Sequence, residues 1–175
     1  NDARNVLMKN GIKVVANNYA SSNVDMPTMP LDILSVFNND NSVVVFDVGG
    51  DDDGALALGQ YKQYFDKYGY EMHFIVNTKR PLTRTNDELI EIAERIESAS
   101  RLKFKDIYNN TNLSDQTDET TLFSGYDEIK MLSKKMGIFI TKNCGIDKAL
   151  SNVPTNLKDT VFRMNICILR PWEIQ

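Results

Sequence analysis

The chain has 175 residues, 42% hydrophobic and 25% charged, an ordinary globular composition with enough length for one sizeable core. A net charge of −4 and a pI of about 5.0 speak against nucleic acid as a partner, because phosphate neutralisation needs clustered Lys and Arg. A single histidine, His73, and two cysteines without metal-ligand spacing, Cys144 and Cys167, disfavour Ser-His and Cys-His hydrolases and a disulfide scaffold, and no apolar run approaches the roughly 20 residues that span a bilayer. A reducing, cytoplasmic setting is the default expectation, with both thiols as small core residues and His73, inside the run MHFIV, as a core or edge imidazole.

Taken in chain order, short apolar runs alternate with helical periodicity, which predicts an α/β fold with a mostly parallel sheet. A helix is expected over Asp2 to Asn10, stopped by Gly11, then a strand from Ile12 to Ala16. Asn17 to Pro30 reads as loop, and Leu31 to Phe37 sets Leu31, Leu34 and Phe37 on one helical face. The run SVVVFD, Ser42 to Asp47, lacks polar alternation, as expected of a strand covered on both faces. One helix should span Asp53 to Tyr68, with aspartates near its N-terminus and Gly69 at its end. The strand Glu71 to Asn77 precedes a capping-box pattern at Thr85 to Glu88, with Leu89, Ile92, Ala93 and Ile96 as the apolar stripe behind it. Phe104 to Asn109 is a further strand, Glu119 to Met136 a helical stretch ending at Gly137, and Gly137 to Thr141 and Phe162 to Leu169 close the set of strands. One domain over residues 1–175 is expected.

The chemistry concentrates in VVVFDVGGDDDGAL, Val43 to Leu56. Open α/β sheets collect ligands at the carboxyl ends of their strands, where Asp47 stands. A carboxylate there can hold Mg²⁺ directly or through a water, and glycine at Gly49 and Gly50 lets the backbone N–H groups approach a phosphate. Asp51, Asp52 and Asp53 either cap the following helix or act on the ligand; three adjacent carboxylates beside a phosphate need an intervening cation. An EF-hand is excluded, because aligning Gly54 as the loop glycine puts Gly49 and Gln60 at the outer ligand positions.

Together with the NTKRP segment (Asn77 to Pro81), NNTNLSDQT (Asn109 to Thr117) and the RPWE ending (Arg170 to Glu173), the string Asp47 to Gly59 resembles the MinD/ParA and cobyrinic-acid-synthase-like branch of P-loop NTPases. The resemblance is greatest to a group of bacterial ATP-binding proteins that share DVGGDDxGAxxLG. It implies a three-layer fold with helices on both faces of the sheet, ATP and Mg²⁺ as ligands, and nucleotide-controlled dimerisation or partner binding. Carried over by position, Asp47 is the Mg²⁺-associated acid, and Gly49 and Gly50 form the γ-phosphate turn, with Asp47 and Gly50 as the catalytic pair. Asn109 or Asn110 matches the amide that reads the adenine edge; on the residues alone the two are equally a turn-forming pair. Arg80 and Arg84 could approach the nucleotide or a partner subunit, or lie on the surface.

No G-x-x-x-x-G-K-[ST] occurs anywhere in the chain. Without those amides and that lysine most transition-state stabilisation is missing, so the chain alone should not hydrolyse ATP. We therefore expect a C-terminal portion of a P-loop NTPase-like domain whose opening βαβ unit, with its phosphate loop, lies outside these residues. The strand Ser42 to Asp47 would then need a replacement neighbour. The alternative is a non-enzymatic interaction module that keeps the fold without binding nucleotide. A haloacid-type hydrolase is more distant, because D-V-G does not supply its D-x-D nucleophile.

Overall fold

The computed structural model describes residues 2–15, 31–38, 42–50 and 52–167. They fall into two compact units, Asn1–Tyr70 with Ala99–Arg101 and Cys167–Gln175, and Glu71–Ser98 with Leu102–Ile166. The predicted loop over 17–30, the role of Asp51 and the RPWE ending lie outside the described residues.

In the first unit, helix α1 (Asp2–Lys9) is short and amphipathic, and the chain reverses after it through Gly11 at φ +77°, a conformation glycine takes at no steric cost. Residues 12–15 form no strand, contrary to expectation, and Ile12 and Val15 are exposed. Leu31–Asn38 winds as a 3₁₀ helix in which Ile33 is buried and the expected Leu34 is exposed. The single helix expected over Asp53 to Tyr68 is two, α2 (Asp52–Gly59) and α3 (Lys62–Tyr68). Gly59 lies against backbone, where a Cβ would come 2.7 Å from the Ala99 carbonyl, and its own carbonyl accepts from the Arg101 guanidinium. That anchoring interrupts the helical ladder. Phe37, Phe46, Tyr64, Phe65 and Tyr68 then pack ring on ring, Phe37 and Tyr64 at a centroid distance of 4.9 Å.

The run Val43 to Asp47 departs most from expectation. Residues 42–49 pair with no strand among the described residues, and Val43 and Val45 are 94% and 85% exposed. An uninterrupted apolar run reads alike for a doubly covered strand and for one without neighbours, because composition does not encode the partner.

The second unit is a parallel α/β layer. Strands β1 (His73–Val76), β2 (Asp106–Asn109), β3 (Phe139–Gly145) and β4 (Val161–Arg163) form one sheet in the order β1-β2-β3-β4, all parallel. Helix α4 (Asn86–Ser100) connects β1 to β2, while α5 (Glu119–Phe123) and α6 (Tyr126–Met136) connect β2 to β3. Phe74, Val76, Ile107, Asn109 and Asn143 share the buried face; Ile75 and Tyr108 point the other way, toward partial exposure. Leu89, Ala93 and Ile96 of α4 and Leu122, Ile129 and Leu132 of α5 and α6 complete this core. Cys144 is buried, its thiol pushed up to about 11 by desolvation, whereas Cys167 is exposed rather than in the core.

The capping box forms as expected: Glu88 N–H donates to Thr85 Oγ1 at 3.3 Å, and Glu88 Oε2 accepts from the Arg84 and Thr85 amides, each at 2.9 Å. Those backbone donors hold the Glu88 carboxyl below its ordinary range. At the amino edge of the sheet, His73 Nδ1 meets Asp106 Oδ1 at 2.6 Å, and Asp106 Oδ2 accepts from the Thr141 hydroxyl at 2.9 Å. Thr141 is the extra residue where the β2–β3 register shifts, so one carboxylate staples three strands across a bulge.

Replacing Asp106 by Ala strands both partners and is expected to cost about 1–3 kcal/mol in urea unfolding; Asp66→Ala, which removes only an exposed pair with Lys62, should cost under about 1 kcal/mol. A depressed folded-state pKa contributes stability above the unfolded value, lost as pH falls through the folded one. The advantage of the native chain over Glu88→Gln should therefore be full at neutral pH and fade on acidification; urea midpoints at several pH values measure it.

Candidate functional site

The polar segments that stood out in the sequence converge at the carboxyl edge of the parallel sheet. β1 runs out into Asn77 and β2 into Asn110, and Asn77 joins the two loops. Its Oδ1 accepts from the Lys79 amide at 2.9 Å and the Asn112 amide at 3.2 Å, and its Nδ2 donates to the Asn112 carbonyl at 3.2 Å. The Thr83 hydroxyl closes the first loop onto the Asn77 carbonyl at 2.7 Å. In the second loop, Thr117 Oγ1 accepts from Leu113 N–H and Asn112 Oδ1 from Ser114 N–H, with Ser114 at φ +58°. Short polar side chains that bond their own backbone are what such a turn requires.

Below the loops lies a buried polar row. Asn109, wholly buried, donates from Nδ2 to the Leu122 carbonyl and to Asn143 Oδ1, both at 3.0 Å, and accepts from the Thr111 amide at 3.1 Å. Asn143 passes the chain on to Thr160 Oγ1 at 2.8 Å, which donates to the Leu157 carbonyl. The next residue differs: Asn110 Oδ1 is buried and has no hydrogen-bond partner among the described residues. A buried acceptor left open costs about 1–3 kcal/mol, so a native one asks for an explanation. Of the two asparagines expected to read an adenine edge, Asn109 is committed to the sheet and Asn110 keeps an open acceptor.

Beside these loops is a cavity of about 360 Å³ lined by Thr78, Lys79, Arg84, Leu113, Ser124, Gly125 and Glu128. The helical stretch expected over Glu119 to Met136 breaks at Ser124–Gly125, beside this cavity. A Cβ at Gly125 would overlap the Thr78 side chain, so glycine is needed for α6 to start this close to the loop after β1. Asp118 caps α5, its Oδ1 accepting from the Thr121 amide at 2.8 Å, which holds its carboxyl low. Arg80 and Arg84 are both exposed, and only Arg84 lines the cavity.

Asp47, Gly49 and Gly50 belong to the first unit, where all three are exposed. Gly50 has φ outside the left-handed region and open space around a hypothetical Cβ, so no contact with the described residues explains it. α2 opens at Asp52, which puts Asp53 in its first turn, where the helix dipole favours a carboxylate. Among the described residues no three His, Cys, Asp or Glu side chains converge as a metal cage; Mg²⁺ bound through phosphates needs only one or two carboxylates. Asn143, Thr78, Thr111 and Gly125 were not singled out in the sequence; the serine-glycine pair inside a helical pattern was the available signal for Gly125.

Comparison with protein-family models, with curated proteins and with solved structures returned no match. Among the described residues no helix is long and apolar enough to cross a membrane.

The two asparagines are separable by mutation. Asn109→Ala leaves the Leu122 carbonyl, Asn143 Oδ1 and the Thr111 amide unmatched and should cost about 2–4 kcal/mol. Asn110→Ala removes an acceptor that already lacks a partner, so it should not destabilise and should relieve up to about 1–3 kcal/mol. Denaturant melts of both variants measure the contrast.

Proposed function

We propose that the chain is the ATP-binding part of a nucleotide-dependent switch of the MinD/ParA-like class, its sheet part of a three-layer P-loop NTPase-like domain. The observation that carries this reading is the open, buried Oδ1 of Asn110 at the carboxyl edge of a parallel sheet, where such folds bind ligands. In this reading the Asn110 amide reads the adenine edge, and Asp47 holds Mg²⁺ directly or through a water. The backbone of Gly49 and Gly50 turns toward the γ-phosphate. A glycine with no contact among the described residues that requires it, as at Gly50, fits a position kept clear for a ligand. The exposure of Val43 and Val45 fits an interior strand that takes its neighbour, together with the phosphate loop and its lysine, from outside these residues. Hydrolysis needs that loop, so the activity belongs to the protein in which it is present.

The same exposed valines favour a second reading, an interaction module that pairs this segment with another protein and binds no nucleotide. Calorimetry with Mg-ATP on the full-length protein separates the two. The switch reading expects saturable binding that Asp47→Ala and Asn110→Ala each weaken at least about tenfold, or about 1.4 kcal/mol. No Mg-ATP binding in a protein that carries an intact phosphate loop, or variants that bind like the parent, would exclude it.

A further inference from the structure

The cavity beside α6 contains neither Asn110 nor Asp47 and stands independently of the nucleotide reading. Two cations, Lys79 and Arg84, and one acid, Glu128, line it, and none of the three side chains has an ion-pair partner within 4 Å among the described residues. Arg84 does lie in the field of Glu88, whose Oε2 is already taken by two backbone amides.

Thr78, only 6% exposed, forms a buried part of the cavity wall. Its hydroxyl faces that of Thr111 at 3.3 Å, and Thr111 Oγ1 also accepts from the Thr78 amide at 3.2 Å. Two facing hydroxyls share one hydrogen bond, so one of their two protons has no acceptor in the pair. Thr111 is wholly buried and would strand its proton away from water, which favours Thr111 as the donor. The Thr78 proton is then left at the cavity wall, next to the glycine that opens α6. Gly125 caps that helix without a side chain, so the first amides of an 11-residue helix also stay unmatched by any cap.

From these groups we infer that the cavity is a binding site for the oxyanion of a small molecule, a phosphate or a carboxylate. Lys79 and Arg84 supply the charge, the Thr78 hydroxyl and the α6 amides supply directed donors, and Glu128 opposes any anion lacking a cationic or donor group of its own. The cation count exceeds the acid count by one, so an anion gains on entering. Asn77 preorganises the loop carrying Lys79, so little of that gain goes into ordering backbone.

The test is an amide ¹⁵N–¹H titration of the full-length protein with inorganic phosphate, and in parallel with acetate, against sodium chloride at matched ionic strength. Saturable shifts at Thr78, Lys79, Gly125 and Tyr126 are expected. Saturation with phosphate alone identifies a phosphate site, and saturation with both identifies a general oxyanion site. Lys79→Gln and Arg84→Gln, both exposed and so compatible with folding, should each raise the apparent Kd at least fivefold, whereas Glu128→Gln should lower it. Shifts no larger than those from chloride, or a Kd indifferent to all three substitutions, would overturn the inference.

Discussion

The carboxamide of Asn109 is the constraint on which the carboxyl edge depends. At one buried point it joins β2 to β3 through Asn143, to helix α5 through the Leu122 carbonyl, and to its own following loop through the Thr111 amide. In a low-dielectric interior these bonds reinforce one another, and breaking any of them exposes an unmatched group. The loop after β2 therefore leaves the sheet in one direction only. That direction brings Thr111 to Thr78 and Asn112 to Asn77, and with them the loop after β1. Both polar segments owe their shape to a side chain that itself touches no ligand in the proposed function.

Division of labour at the edge follows from burial. Polar groups bonded through both the oxygen and the nitrogen of the amide, Asn77, Asn109 and Asn143, fix geometry. Groups left open among the described residues include Asn110 Oδ1 and the side chains of Lys79, Arg84 and Glu128. They lie along the rim of one sheet edge, the position where a parallel α/β layer presents its strand ends to a ligand. The amino edge is different in kind: there Asp106 satisfies His73 and Thr141 and leaves a closed network that serves the register of three strands. One end of the layer closes its polar groups on one another, and the other leaves some of them open.

The second unit was largely legible in the sequence because its elements carry their own signals. HFIV and DIYN are short β-rich runs bounded by turn residues, the Thr85–Glu88 box announces α4, and Gly137, at φ +70°, ends α6 as expected. What escaped notice there was polar and buried. β3 continues past the apolar GIFIT to Gly145 because Asn143 finds Asn109 and Thr160 across the sheet, a pairing that no local pattern displays. The break at Gly125 likewise follows from a tertiary overlap with Thr78. In the first unit the sequence misled where an element needed a partner. The runs at Ile12 and Val43 have the composition of strands but no ladder among the described residues, and α2 stops at Gly59 because distant backbone presses on it. Of the candidate site, the segments were legible and the roles within them were not: only the hydrogen bonds tell the committed Asn109 from the open Asn110.

Hydrogen exchange of the full-length protein with and without Mg-ATP tests the account most directly, because it reads every segment at once. The proposed switch predicts slowed exchange at residues 47–50 and at residues 110–113 when nucleotide is bound. Nucleotide that binds while both segments exchange as before would contradict it.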